Sequence, residues 1–533
     1  MATLLQSIVG YPTEQEVILL SCSTDSDVYI SYRDRRFIND LLPPELLCEI
    51  FILAHASHPL TSIFRNPLHH LAQPLILRNV CKRWKFLAES TRLLWTQFEI
   101  SLMTGPSLTC SSNLVPYRCL EKAREMMKRW LKFACSNLDL DPDVTYRYPG
   151  LRFTFETGGL GLSHGTPIER VILKVLTDFS PHWQHVTIRI PIIHMARYLD
   201  LSPVRGRINR LESLTLDGND TYSTSDAIPN KLLDLFEIAP RLARLSLDGF
   251  YDVALRMPFE QLKRVSIKDM NTLDSYHLLR GSANSVETAS VSPLWTHMGR
   301  SSTLPLVVLP RLTALQYINN GDTMQAINWA KEIFRHLETP NLHTLILHDC
   351  FHRSSYREAF KMVLRSQSKC SIKHIELRGI GGNEPSDIFS LLDFTTSSVE
   401  YLLVEGILGV VASRPSRMYQ QYVQELVTTT EVITHLAAKI QSHRDGFVKL
   451  NGLVLKLTIH GGEVFIGISC LRALYEAVLT RNKTKKDGNP VKLRLRIRIS
   501  GSSDKFLQDM RRELEDVAGG LNLRGDEVLL EHA

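Results

Sequence analysis

No pair among the nine cysteines of this 533-residue chain (Cys22, Cys48, Cys81, Cys110, Cys119, Cys135, Cys350, Cys370 and Cys470) has CxxC spacing, and their number is odd. A disulfide framework and a paired-cysteine zinc site are therefore poor readings, and reduced, mostly buried thiols of an intracellular protein are expected. Long apolar runs are lacking as well. A membrane span needs about 18 to 20 such residues, whereas the text around Leu304 to Pro310 supplies only a few. The opening MATLLQSIVGYPTEQEV has no basic region before its apolar residues and carries Glu14 and Glu16 soon after them, which makes it a poor signal peptide. Charge of one sign is also scarce. The net value is +6, with basic residues spread along the chain, so neither nucleic acid nor a membrane surface is an expected partner. A soluble chain of the cytoplasm or nucleus is expected.

Catalytic constellations are incomplete. HDCFH, with His348, Cys350 and His352, has soft ligands at alternate positions but no second ligand pair at zinc spacing. HGG at His460 to Gly462 resembles an oxyanion loop, yet the nearby Gly467, Ile468, Ser469, Cys470 and Leu471 fail the last position of a nucleophile elbow. RGIGGN, Arg378 to Asn383, lacks the P-loop Lys-Ser/Thr and has Glu384 where a dinucleotide fingerprint needs glycine. It reads as a loop leaving a strand. The basic run RNKTKKDGNP, Arg481 to Pro490, reads as a solvated turn. General base, nucleophile and oxyanion site do not occur together, so no catalysis, metal or cofactor is expected of this chain.

What is present is a globular composition, 44% apolar and 22% charged, in a chain long enough for two or more units. After a leader of uncertain order over 1–36, LLPPELLCEIFILAH puts two prolines at the start of a helix whose apolar residues, Leu46, Leu47, Ile50, Phe51, Leu53 and Ala54, occupy two faces. Either Leu46/Ile50/Leu53 or Leu47/Phe51/Ala54 is the internal set. Pro74 opens a second helix in which Ile76, Val80, Trp84 and Leu87 form one stripe. A third apolar element, LLW, closes at Trp95.

Three blocks in this order resemble the F-box: Leu42, Pro43, Glu45, Leu46, Leu47, Ile50 and Phe51; then Val80, Cys81, Lys82, Trp84, Leu87 and Ala88; then Leu94 and Trp95. The loop between the first two blocks is longer than in most F-boxes, a feature similar to the expanded F-box families of mushroom-forming fungi, and Arg92 stands where proline often precedes the last block. The segment 37–100 is taken as the F-box. A helical subdomain packed on the rest of the chain is the reading without the resemblance, but some sixty residues in three short helices cannot bury two apolar faces alone.

From Trp183 onward the pattern LxxLxL recurs. Its members include Leu211/Leu214/Leu216, Leu242/Leu245/Leu247, Leu262/Val265/Ile267, Leu342/Leu345/Leu347 and Val399/Leu402/Val404, spaced 20 to 31 residues apart except for gaps of 50 and 51. Each long gap is expected to hold a degenerate repeat, Val286/Ala289/Val291 in the first. The period is that of leucine-rich repeats, and RLESLTLDGND resembles their consensus. The expected fold is α/β: a short N-terminal helical F-box, a connecting helix and strand region over 101–180, an irregular leucine-rich-repeat α/β solenoid over 181–460, and a C-terminal repeat or cap over 461–533. In that last part VKLRLRIRIS is expected to be a strand with one wet face whose charges discourage edge pairing, and with the helix DKFLQDMRRELEDV it would cap the open end of the solenoid. A single doubly wound α/β domain is the rival architecture.

The resemblance implies a substrate receptor of a Skp/cullin/F-box ubiquitin ligase. Leu42, Pro43, Leu46, Leu47, Ile50, Val80, Trp84 and Trp95 would form or support the surface for a Skp-type adaptor, and through it a cullin scaffold. The target protein, of unknown identity, would meet the strand residues that flank the inward leucines: Thr215, Ser246, Ser266, Ile346, Glu376 and Leu403, with Ser213, Arg244, Arg264, Thr344, His374 and Tyr401 beside them. A non-degradative leucine-rich-repeat scaffold is the alternative.

Overall fold

A computed structural model describes residues 42–56, 73–102, 117–135, 149–157, 167–190, 201–218, 234–249, 256–293, 304–318, 333–348, 355–366, 371–380, 385–410, 417–442, 447–460, 468–484, 491–500, 512 and 527–532. The expected leader, the loop over 57–72 and the helix expected in DKFLQDMRRELEDV, apart from Arg512, lie outside them. The protein is mixed α/β with a large parallel sheet. It forms two compact units, 1–186 and 187–533, so the division falls close to the expected start of the repeats.

In the first unit, Pro44 takes the first position of α1 (Pro44–Ala56), where no amide donor is required, and Glu45 lies in its first turn, favourable to the helix dipole. The second expected helix is two. α2 (Gln73–Val80) and α3 (Lys82–Ser90) are separated by Cys81, whose backbone is extended and whose Sγ accepts the Trp84 N–H at 3.4 Å. That break splits the expected stripe: Trp84 and Leu87 are buried, while Ile76 and Val80 are exposed. Leu94 ends a single 3-10 turn (Arg92–Leu94), and Trp95 is fully buried behind it. Its indole donates to Ala88 O at 2.7 Å. β1 (Gln97–Leu102) pairs in parallel with β2 (Leu151–Thr157). Between them runs α4 (Tyr117–Cys135), whose Trp130 donates to Trp95 O at 2.9 Å and packs edge-on against the Trp95 ring. α5 (Pro167–Asp178) packs beside α4, and β3 (Trp183–Arg189) carries the division between the units.

The second unit is built on β4 (Ser213–Asp217), β5 (Arg244–Asp248), β6 (Arg264–Met270), β7 (Thr288–Pro293), β9 (Ala314–Ile318), β11 (Thr344–His348), β12 (His374–Arg378), β13 (Tyr401–Val410), β14 (Gly452–His460), β15 (Lys492–Ser500) and β16 (Glu527–His532). These are neighbours in that order and all parallel. β8 (Val307–Val308) and β10 (Leu337–Glu338) make a separate short pair. The expected leucines are the core: Leu214, Leu216, Leu247, Leu345, Leu347, Leu377 and Leu402 are all buried. Burial alternates along β4, β5, β9, β11 and β12, one face buried and the other half-exposed. A doubly wound sheet would bury both faces and reverse its strand order; this one does neither along these strands. Parallel neighbours advance always in one direction along these strands, so each connection is a crossover. The helices α6 (Thr272–Gly281), α7 (Ser355–Arg365), α8 (Pro385–Thr395), α9 (Arg417–Gln441) and α10 (Ile468–Thr484) make those connections, and α7 to α10 pack side by side in chain order.

Three expectations about this unit are corrected. The first long gap does hold the Val286 repeat, as β7, but the second holds no strand among the described residues: β13 pairs directly with β14, and the interval carries the 25-residue helix α9. Helical periodicity buries Leu426, Val432, Ile433, Leu436 and Ile440 there, so no strand was needed to cover the apolar residues. β15 is an inner strand, because β16 pairs beyond it. The register sets Glu527 beside Arg494 and Glu531 beside Arg498. The basic run begins inside α10, and Arg481 is buried there, donating to Val448 O at 3.2 Å.

Candidate functional site

Two surfaces answer to the expected partner sites. On α1 the choice between the apolar faces is decided. Leu47, Phe51 and Ala54 are between 1% and 3% exposed, whereas Leu46, Ile50 and Leu53 stand at 46%, 38% and 53%. The buried face is held by α3: the Phe51 and Trp84 rings lie 4.7 Å apart, and Arg83 donates to Leu42 O at 2.8 Å. Thr91 donates to Cys48 Sγ at 3.0 Å, and Arg78 pairs with Glu89 at 2.6 Å while lying over the Phe133 ring. α1, α2 and α3 therefore have a core without using Leu46, Ile50 or Leu53.

The eight expected adaptor residues sort into two roles. Pro43, Leu46, Ile50 and Val80 are exposed and Leu42 is partly so, able to touch a partner. Leu47, Trp84 and Trp95 are buried and act only by holding the helices. Sequence reading missed Ile76, Phe86 and Leu93, which are also exposed. Phe86 was visible as an aromatic between Lys85 and Leu87, but its direction depended on the break at Cys81. Beside the buried face, His55 is 7% exposed, and burial holds its imidazole below the ordinary value, partly offset by a hydrogen bond with the Gln97 backbone. Its Nδ1 has no hydrogen-bond partner among the described residues.

The second surface is the half-exposed face of the large sheet. The register aligns the six expected target residues, Thr215, Ser246, Ser266, Ile346, Glu376 and Leu403, in one row, with Ser290 and Gln316, which were not expected, between Ser266 and Ile346. The row one step earlier runs Ser213, Arg244, Arg264, Thr288, Ala314, Thr344, His374 and Tyr401. Over β4 to β7 these rows border a shallow groove of about 210 Å³. Two members do not serve as expected. Leu403 is 4% exposed, flanked in register by Glu376 and Val454 and along its own strand by Tyr401 and Glu405, and offers nothing to a partner. Glu376 is engaged within the chain: His374 Nε2 lies 2.9 Å from Oε1, and Arg378 donates to Oε2. Burial pushes its carboxyl up, but the bonds from His374 and Arg378 outweigh that and hold it below the ordinary range. His374 also stacks on Tyr401 at 4.4 Å.

The residues weighed for chemistry are dispersed. His348 ends β11, and Cys350 and His352 lie outside the described residues. Gly379, with φ of 59°, takes the chain out of β12 in a conformation suited to glycine, as expected of a loop leaving a strand. Cys470 is buried, with its thiol pushed up to about 11 by desolvation, whereas Cys48 and Cys135 are half-buried and Cys81 is exposed, so the expectation of mostly buried thiols fails for this set of four. No family model matches the chain, and no curated protein matches it.

Proposed function

We propose that this chain is the substrate-recognition subunit of a Skp/cullin/F-box ubiquitin ligase, with an F-box on α1 to α3 and an irregular leucine-rich-repeat solenoid as the target receptor. One observation carries the reading: helix α1 keeps Leu46, Ile50 and Leu53 in solvent while the opposite face completes the local core. Apolar side chains at i, i+4 and i+7 make a stripe suited to a helix-lined groove. The blocks that resemble the F-box supply these residues, together with Pro43 and Val80. The one-directional parallel sheet with a half-exposed face supports the receptor half of the reading.

The mechanism is proximity. A target held on the sheet face and an adaptor held on α1 are tethered through a cullin to a charged ubiquitin-conjugating enzyme, which raises the effective concentration of target lysines near the thioester. The bond-making cysteine belongs to other subunits, and no cofactor is called for.

The test is co-purification of the full chain with a Skp-type adaptor from cells in which both are expressed. Retention supports the reading; failure of the intact, folded chain to retain it rejects the ligase assignment. Proximity labelling with the proteasome inhibited then identifies targets, and targets whose abundance never responds would favour the non-degradative scaffold.

A further inference from the structure

We propose that the outward face of α4 docks an acidic segment of a protein partner, held by Lys122, Arg129 and Lys132. The proposal does not rest on the ligase reading: these residues lie outside the F-box blocks, and their chemistry is ionic where the α1 stripe is apolar.

α4 carries six basic residues and two acidic ones. Ala123, Met127, Trp130, Leu131 and Ala134 are buried, while Lys122, Arg129 and Lys132 stand exposed on the other side of the helix. Both glutamates are engaged within the helix, Glu121 with Arg124 at 3.4 Å and Glu125 with Lys128 at 3.5 Å. Among the described residues, Lys122, Arg129 and Lys132 pair with no carboxylate. The helix itself does not call for this excess. Arg129 and Lys132, three positions apart, are a like-charge pair that works against helix formation. The dipole favours a cation in the last turn, which accounts for Lys132, but Lys122 lies in the N-terminal half, where it has no such support.

Lys122, Met126 and Arg129 stand at i, i+4 and i+7 and so share one face. The two cations are about 10 Å apart along the helix axis, and Met126, half-exposed, lies between them. A segment with carboxylates at that separation and an apolar side chain between them matches all three, and the planar fork of Arg129 suits a carboxylate. A repeating polyanion fits less well. Glu125, which is also exposed, falls between Lys122 and Arg129 and would oppose the middle of such a chain. A protein segment can leave that position uncharged.

The test measures, by fluorescence anisotropy, how the full chain binds a labelled peptide of glutamate and leucine and its glutamine analogue. The acidic peptide should bind roughly tenfold tighter and lose that advantage as salt is raised. Lys122→Gln, Arg129→Gln and Lys132→Gln together should remove the difference at an unchanged melting temperature. The same change at three exposed cations of the other unit, Lys449→Gln, Arg472→Gln and Lys483→Gln, should leave it in place. Equal binding of the two peptides, or an advantage that survives the α4 variant or falls as far in the other one, overturns the proposal. Single-stranded RNA that competes far better than unlabelled acidic peptide also overturns it, because the face would then be a polyanion surface. If the α4 variant melts early, Lys122→Glu alone carries the test: it should weaken the acidic peptide several-fold and strengthen a lysine analogue, and no change in either overturns the proposal. Adaptor retention is followed on the same preparations. Its loss from an α4 variant that melts normally would make this face part of the adaptor surface and overturns the proposal; its absence in the natural chain, with the peptide preference intact, counts against the ligase reading alone.

Discussion

The rings of Phe51 and Trp84 lie 4.7 Å apart at an interplanar angle of 58°, one from α1 and the other from α3, and this contact fixes which face of α1 is internal. With Phe51 turned inward, helical geometry carries Leu47 and Ala54 with it and turns Leu46, Ile50 and Leu53 out. The same contact separates residues that hold the helices from residues that can meet a partner, and the two sets respond differently to substitution.

Leu46→Asp with Ile50→Asp changes exposed positions, so the stability of the full chain should move by less than about 1 kcal/mol. Adaptor retention should nevertheless be lost, because two carboxylates would have to be desolvated in an apolar interface. Co-purification and thermal melting on the same sample check this. Unchanged retention removes the α1 stripe as the adaptor surface.

Trp84→Ala should behave in the opposite way. It empties a site beneath Phe51 and should destabilise the helical region by about 3 to 5 kcal/mol, with adaptor retention falling only as the region unfolds. Melting followed by tryptophan fluorescence tests it; a stable Trp84→Ala chain would mean that the ring is not structural.

His55 gives the same region a pH dependence. Its native imidazole is held below the ordinary value near 6.5, so the neutral form is favoured in the folded state. As pH falls below that value the unfolded chain takes up a proton that the folded chain does not, and stability declines by up to about 1.4 kcal/mol per pH unit until the native value is reached. The stabilising contribution is thus present above the unfolded value and lost on acidification. His55→Leu should flatten the melting temperature between neutral and mildly acid pH relative to the natural sequence. An identical slope in both chains would show that His55 does not titrate as burial requires.

Gly406 marks a close approach of β13 to α9: a Cβ there would run into the Thr429 side chain. Gly406→Ala should therefore cost about 1 to 3 kcal/mol. Thr429→Ala, which removes the obstructing atoms, should recover part of that loss when combined with it. Additive losses in a double-mutant cycle would show that the two sites are not in contact.

The repeat strands were legible in the sequence because alternation is a local property. An LxxLxL block whose second and third members face the core also fixes which neighbours face away, and so Thr215, Ser246 and Ser266 could be assigned to one face before any pairing was known. The repeat period itself announced parallel strands joined by crossovers, and the proline pair announced the start of α1. Tertiary structure decided what depends on neighbours distant in sequence. Both faces of α1 are apolar, and contacts with residues more than thirty positions away, Trp84 foremost, distinguished them. The stripe from Ile76 to Leu87 has helical spacing throughout, yet an extended Cys81 divides it, and a single backbone rotation is enough to send its two ends to different surroundings. Leu403 occupied an outward position by alternation and is nonetheless buried. Arg244 and Arg264, twenty residues apart, were assigned to the outward face one strand at a time; strand register made them neighbours. Periodicity sets the direction of a side chain relative to its own element. What lies in that direction is set by the elements that pack against it.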